Sequence, residues 1–330
     1  NHSNRYYNTM DVDNNNNINN NIYNDGGRSA LDLLKEESEC NHIISFCLAL
    51  DTMLRGGIPL KKITEFCGVP GVGKTQMAFQ LAVNCAIPIE FDGVAGKCLF
   101  IDTEGSFAVS RIRQMATALI EHLHLVAAEA TPELQNIANN MTVDQVMDSI
   151  FYYRVHHYIE QIALVNMLPS ILSNNPDIRL IIIDSITYPF RRVFKDNFLK
   201  TRCLSSMAQS LHSVAQQYNV AVVIMNQVTT KVVANSEESL LIPTLGESWS
   251  HTCTNRVYLY FKEHQRYCHL YKSPSFQSTN SEFCIGPNGV RGADEEPQPL
   301  EDEDDEFEWE EEDFGVGVGA PDSHSPTPPV

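Results

Sequence analysis

The chain has 330 residues, of which 43% are hydrophobic, and a formal net charge of −19. Residues 294–330 hold 15 acidic residues and no Lys or Arg, so the rest of the chain is nearly balanced, at 27 acids against 23 bases. No apolar run is long enough for a membrane span. Nine cysteines without a Cys-x-x-Cys pair favour a reduced intracellular protein.

The two ends of the sequence differ in composition from its middle and predict disorder. Residues 1–27 include 11 Asn before Asp25, and such polar, low-complexity tracts bury too little apolar surface to fold. Residues 294–330 are acidic with three interleaved aromatics, which favours a solvated tail, with a segment that binds a basic partner as the alternative. The predicted domains are an Asn-rich disordered extension (1–27), a linker with the first elements (28–56), a folded core (57–293) and an acidic disordered tail (294–330).

Strands alternate with helices through the middle of the chain. In chain order the patterns predict a strand (42–46), a helix (48–57), a strand (61–68), a helix (75–87), a strand (97–105), a helix (110–130), a strand (149–155), a helix (156–172), a strand (178–185), a helix (200–219) and a strand (220–227). Several of these strands are continuously apolar, which is typical of a parallel sheet buried on both faces. Three shorter alternating stretches follow and predict antiparallel strands (256–262, 266–272, 282–287).

The stretch GVPGVGKT (68–75) has the full phosphate-loop pattern and lies between a predicted strand and a predicted helix. Its glycines allow backbone amides to face a β-phosphate, and the following helix adds its positive end. Lys74 would reach the β- and γ-phosphate oxygens, and the Thr75 hydroxyl would bind Mg²⁺. The sequence therefore predicts ATP and Mg²⁺ as ligands, with the nucleotide held by Gly68, Val69, Pro70, Gly71, Val72, Gly73, Lys74, Thr75 and Gln76.

Polar residues end three of the apolar strands, where the carboxyl edge of a parallel sheet gathers ligand-binding groups. Asp184 closes RLIIID and is the candidate Mg²⁺ carboxylate, with a turn cap as the alternative. Glu104 follows CLFID and is the candidate for orienting the attacking water, because Asp102, inside the strand, is less free to reach it. Asn226 and Gln227 end another strand, and an amide there can sense the γ-phosphate.

Two stretches predict loops at the same edge. Residues 228–246 carry no clear secondary structure, and ordered loops of that length are usually functional or mobile. The stretch TYPFRRVFKDNF (187–198) places basic residues beside phenylalanines, a combination that suits a single-stranded nucleic acid backbone and its bases, with a solvated loop as the alternative. The candidate DNA contacts are Arg191, Arg192, Lys195 and Lys231.

The motifs occur in an order that resembles a known family. The segments GGIPL, ITEFCGVPGVGKTQ, FIDTEGSF, LIIIDSI and VAVVIMNQV are similar to the eukaryotic RecA-type (Rad-fifty-one) recombinases over residues 28–293. The stretches YPFR, TTKV, PTLGESWSH and YKSPS lie outside the nucleotide motifs and resemble one paralogue branch of that family. The resemblance implies an α/β fold, a RecA-like P-loop ATPase core with a mostly parallel twisted sheet flanked by helices and antiparallel C-terminal strands.

The resemblance also implies roles for single residues. It makes the phosphate loop the ATP site, Asp184 the carboxylate on the Mg²⁺ side, and Glu104 the catalytic glutamate. It makes Gln227 the γ-phosphate sensor and places Arg111 over the adenine. The segments after Ser185 and after Gln227 fall where the family has its two DNA-binding loops.

The function implied is that of a slow, DNA-dependent ATPase in the nucleus. Such a paralogue would join other paralogues in a complex on single-stranded DNA and assist the main recombinase in homologous recombination and double-strand break repair. Two departures bear on this: the Asn-rich stretch stands in place of the family's small N-terminal helical domain, and Glu237 and Glu238 make the second loop poor for phosphate contacts. The alternatives are a self-sufficient strand-exchange recombinase, a scaffold clamped by ATP without hydrolysis and, more distantly, a hexameric helicase.

Overall fold

The computed structural model describes residues 29–32, 41–190, 197–232, 239–245, 249, 251–274 and 276–293. The strands in these ranges are β1 (His42–Ile43), β2 (Ile58–Pro59), β3 (Ile63–Gly68), β4 (Lys97–Asp102), β5 (Ile150–Arg154), β6 (Ile178–Asp184), β7 (Ala221–Val232), β8 (Ser239–Pro243), β9 (Asn255–Lys262), β10 (Gln265–Lys272), β11 (Asn280–Gly286) and β12 (Gly289–Gly292). The predicted disorder at both ends falls outside the described residues.

Seven α-helices connect and cover these strands within the described ranges. They are α1 (Leu48–Met53), α2 (Lys74–Asn84), α3 (Val109–Ala128), α4 (Pro132–Asn140), α5 (Val143–Asp148), α6 (Tyr158–Asn174) and α7 (Asn197–Tyr218). No described helix combines the length and the apolar character that a membrane crossing requires.

One large sheet organises the fold, with the strand order β12-β11-β10-β9-β3-β7-β6-β4-β5 and with β8 paired to β7. The strands from β9 to β5 in this order are parallel to one another, whereas β9, β10, β11 and β12 pair antiparallel. The predicted fold class, a mostly parallel RecA-like sheet extended by antiparallel C-terminal strands, is therefore confirmed.

The central strands are apolar on both faces because each face carries its own core. On β6, Leu180 and Ile182 belong to the core that α2 and α3 cover, whereas Ile181 and Ile183 belong to the core beneath α6 and α7. Since successive side chains of a strand point to opposite faces, continuous burial produces the unbroken apolar run seen in the sequence.

The structure corrects several details of the sequence-based prediction. The stretch 228–246, expected to lack secondary structure, contains the end of β7 and the strand β8, which pair antiparallel from Val228 with Pro243 to Val232 with Ser239. Backbone hydrogen bonds between β7 and β8 order this stretch, although its sequence has no clear apolar pattern that predicts a strand. Helices α4 and α5 and the strand β12 also went unpredicted, because short elements leave little periodicity to detect.

Two leucines test this two-core arrangement. Leu180 is fully buried and Leu125, on α3, is 72% exposed. Leu180→Ala should lower the free energy of unfolding by about 2–5 kcal/mol, because it leaves a cavity between the sheet and α2. Leu125→Ala, the matched control, should change it by less than about 0.5 kcal/mol. Urea denaturation followed by circular dichroism measures both, and equal effects would contradict the assignment of Leu180 to the core.

Candidate nucleotide-binding site

The phosphate loop connects the end of β3 to the start of α2. Gly71 and Gly73 have φ angles of +79° and +112°, in the left-handed region that side chains rarely adopt. A Cβ on Gly68 would lie 2.4 Å from the carbonyl oxygen of Leu259, so this position also requires glycine. A Cβ on Gly71 would meet no atom within 4 Å, so the loop borders open space at this position.

Lys74 crosses this loop. Its Nζ donates hydrogen bonds to the carbonyl oxygens of Gly68, at 3.0 Å, and Val69, at 2.9 Å. Only 9% of Lys74 is exposed. Val72 supports the shape of the loop, because it is buried and its backbone N–H donates to the carbonyl oxygen of Val69. Pro70 is exposed. The ammonium group is thus held at the loop, where an anionic ligand would complement its charge.

Thr75 and Asp184 bring the start of α2 to the end of β6. The Thr75 hydroxyl donates a hydrogen bond of 2.7 Å to Oδ2 of Asp184, which is 2% exposed. Burial raises the pKa of Asp184 to about 6, and the nearby carboxylates of Glu104 and Asp102 act in the same direction, whereas the Thr75 hydrogen bond and Lys74 oppose them. The site therefore concentrates negative charge that a cation would relieve.

Glu104 lies just beyond β4, and its carboxylate is oriented by two neighbours. Its Oε1 accepts hydrogen bonds from the Ser185 hydroxyl and from Nε2 of Gln227, the latter at 2.8 Å. Within the described residues its other oxygen, Oε2, accepts none. One carboxylate oxygen is thus held, while the other has no donor among the residues that the structure describes, an arrangement suited to binding water.

Asp102 organises the turn that carries Glu104. It is fully buried, and its Oδ1 accepts the backbone amides of Glu104 and Gly105, at 3.0 and 2.7 Å. Its Oδ2 accepts the Tyr152 hydroxyl at 3.1 Å, and its Oδ1 also contacts the Arg154 guanidinium at 3.4 Å. Burial and the charge of Asp102 raise the pKa of Tyr152 and keep its hydroxyl protonated as a donor. Because these contacts occupy Asp102, the geometry favours Glu104 over Asp102 as the residue that contacts water.

Arg111, on α3, joins the phosphate loop to the turn between β11 and β12. Its Nε donates to Oε1 of Gln76 at 2.8 Å, and its two other nitrogens donate to the carbonyl oxygens of Gly286 and Pro287, at 2.6 and 2.8 Å. One of them also donates to Gln114. Burial lowers the pKa of Arg111, but an arginine stays charged at neutral pH. Four of the five guanidinium N–H donors are thus bonded, which leaves mainly the flat face for a ligand.

The supporting residues were not predicted. Ser185, Tyr152 and Arg154 hold Glu104 and Asp102, and Gln114 holds Arg111. The available signal was that Tyr152 and Arg154 end a strand at the same sheet edge, but no motif distinguishes them. Their contacts depend on the pairing of β5 with β4, which the sequence alone does not give.

The oxygen donors present suit Mg²⁺. Among the described residues no cluster of three or more His, Cys, Asp and Glu side chains could enclose a metal ion. The pair of Thr75 and Asp184 instead offers hard oxygen ligands from one side. Mg²⁺ is usually bound by one or two protein oxygens together with substrate phosphates and water, so these residues fit that ion.

The candidate DNA contacts lie mostly beyond what the structure describes. Arg191, Arg192 and Lys195 fall outside the described residues. The backbone of Lys231 pairs with Leu240 in the β7–β8 hairpin. The DNA-binding roles of these four residues stay predictions.

Asp184 gives a pH-dependent prediction. Because its pKa in the folded state, about 6, lies above its ordinary value of 3.8, its contribution to stability is present at acidic pH and is lost as the pH rises through about 6. Asp184→Asn removes that loss, so the variant should gain stability over the wild type as the pH rises from about 4 to about 8. Urea midpoints without nucleotide or Mg²⁺ measure this, with the exposed Asp148→Asn as the control. A constant difference across that range would contradict the burial of the charge.

Comparisons with known proteins identify the family of this chain. The Rad51 family model matches residues 37–293. A protein of Dictyostelium discoideum named "DNA repair protein RAD51 homolog 3" is 54% identical over 290 residues, which cover 87% of this chain and 76% of that protein. The protein of the same name from Cricetulus griseus is 47% identical over 266 residues, which cover 80% of this chain and 72% of that protein. The resemblance to a paralogue branch is confirmed, and the chain belongs to the Rad51 family.

Proposed function

We propose that this chain is an ATP-binding, DNA-dependent ATPase subunit that acts in homologous recombination and DNA repair. Membership of the Rad51 family supports the role in recombination, and both relatives carry the words "DNA repair" in their names. The observation that supports ATPase activity is that two pairs of polar side chains lie together at one edge of the sheet. The Thr75–Asp184 pair and the Glu104–Gln227 pair meet there beside the phosphate loop.

Each residue of this site has a task that its contacts support. The loop amides and Lys74 would bind the phosphates, and Thr75 with Asp184 would hold Mg²⁺, which neutralises phosphate charge when bound. Glu104 would orient the attacking water through Oε2 while Ser185 and Gln227 fix Oε1. Arg111 would cover the adenine with the face of its guanidinium, since Gln76 and the turn at Gly286 occupy its edges.

The site also supports a nucleotide-dependent switch. Gln227 contacts Glu104 through its side chain, and its backbone continues directly into the β7–β8 hairpin. A change at the γ-phosphate would therefore reach that hairpin through a single residue, and the hairpin occupies the position of the second predicted DNA-binding loop. We infer that ATP controls assembly on single-stranded DNA, in the nucleus and together with other Rad51-family paralogues and the main recombinase.

Two substitutions separate ATP binding from hydrolysis. Glu104→Gln should lower kcat for ATP by roughly 10²–10⁴-fold, because a neutral amide cannot accept a proton from water. ATP affinity should be retained, whereas Lys74→Ala should weaken binding itself. Turnover and equilibrium binding measured with single-stranded DNA test both.

Glu121→Gln, which changes an exposed glutamate on α3, is the matched control and should behave as the wild type. Full turnover by Glu104→Gln would contradict the assigned role. A wild-type protein that binds ATP without turnover would favour the scaffold clamped by ATP.

Light scattering tests whether the chain acts alone. The protein with ATP, Mg²⁺ and single-stranded DNA should give a monomer or a small discrete species, because a paralogue subunit leaves one face for a different partner. Long polymers under the same conditions would show that both faces of a filament interface are present. That result would favour the self-sufficient recombinase over the subunit of a paralogue complex.

A further inference from the structure

The stretch PTLGESWSH is not explained by nucleotide binding. It contains Trp249, which follows the end of β8 by six residues and which we call the return end of the hairpin. Trp249 is 3% exposed, and its Nε1 donates a hydrogen bond of 3.0 Å to Oε1 of Glu65. Glu65 is on β3, the strand that ends at Gly68 of the phosphate loop. The return end of the hairpin is thus bonded to the strand that carries the nucleotide site.

Glu65 is the centre of a buried cluster formed by Glu65, Asn226, Trp249 and Arg256. Its Oε1 also accepts Nδ2 of Asn226 at 2.7 Å, and its Oε2 accepts Nε of Arg256. The side chains of Glu65 and Arg256 are 0% and 4% exposed, so water screens this ion pair very little. Removing one partner would leave charge or polar groups buried without compensation. The Glu65 cluster therefore holds its members in one arrangement.

Trp249 is fixed from a second direction as well. Its carbonyl oxygen accepts hydrogen bonds from the amide and hydroxyl of Thr252, at 3.0 and 2.6 Å. The carbonyl oxygen of Thr252 in turn contacts Nε2 of His212 on α7. The return end of the hairpin is thereby attached both to the sheet and to the helical layer that covers it.

The outgoing end of the hairpin is attached differently. Gln227, the residue after Asn226, reaches Glu104 through its side chain. Its carbonyl oxygen accepts hydrogen bonds from the amide and hydroxyl of Thr244, which close the base of the hairpin. The outgoing end therefore has a contact with the nucleotide site in addition to the hydrogen bond between Asn226 and Glu65, whereas the return end reaches Glu65 through Trp249.

We propose that Glu65 is a positioning residue, which fixes the return end of the hairpin on β3 through the indole N–H of Trp249. If Gln227 moves, Trp249 stays in place, so the hairpin moves relative to a fixed return end. The link to Gln227 rests on the proposed function, but the anchoring of the return end does not. The proposal requires the N–H donor and not merely the bulk of the ring.

Hydrogen exchange of the full chain tests the anchor. Trp249→Phe keeps a buried ring but removes the donor to Glu65. Without nucleotide, backbone amides of 239–245 should exchange roughly tenfold faster than in the wild type. The change in their exchange on adding a non-hydrolysable ATP analogue with Mg²⁺ should also be reduced. Trp309→Phe, at the chain's other tryptophan, is the matched control. Exchange equal to that control in the nucleotide-free protein would overturn the proposal.

Tryptophan fluorescence gives a second measurement. In the Trp309→Phe background Trp249 is the remaining tryptophan of the chain. Adding Glu65→Gln should shift its emission to longer wavelength, because a neutral amide holds the indole N–H less firmly and admits water. Unchanged emission would overturn the proposal. If the ATP analogue does not change hydrogen exchange of the hairpin in the wild type, the proposed nucleotide-dependent switch fails. Faster exchange in nucleotide-free Trp249→Phe would still support the anchor.

Discussion

The register of the parallel strands is the constraint on which the site depends. Gly68 pairs with Gln227, Asp102 with Asp184, and Asp184 with Met225, so four neighbouring strands reach the same edge within two residues of one another. A shift of one residue on any of these strands would turn its polar end to the opposite face and move its apolar side chains from one core to the other. The two buried cores thus fix the register, and the register assembles the site.

Division of labour among the carboxylates follows from their surroundings. Asp102 is enclosed by amides and by the side chains of Tyr152 and Arg154, and it shapes the turn. Asp184 is buried beside the phosphate loop with a raised pKa, and this suits it to a cation. Glu104 has one oxygen bonded by Ser185 and Gln227 and, within the described part of the chain, no donor to the other. Acidic residues with similar chemistry therefore acquire different roles through burial and hydrogen bonding.

The hairpin after β7 connects this site to the surface of the sheet. Its outgoing end passes through Gln227, and its return end is held at Trp249 by the Glu65 cluster. An element attached firmly at one end and to a ligand site at the other can respond to the ligand with a defined movement. The hairpin thus has a fixed attachment at Trp249 and a contact at Gln227 through which the nucleotide could change its position.

The sequence by itself determined the phosphate loop, the apolar strands and the polar residues that end them, because each is a local pattern with a fixed spacing. It therefore predicted Lys74, Thr75 and the α/β fold class. The contacts of Glu65 with Trp249 join residues 184 positions apart in the chain. They exist only because β3, β7 and β9 are neighbours in the sheet, a pairing set by packing of the whole core. Tertiary structure alone decided them, together with the hairpin that replaced the expected loop.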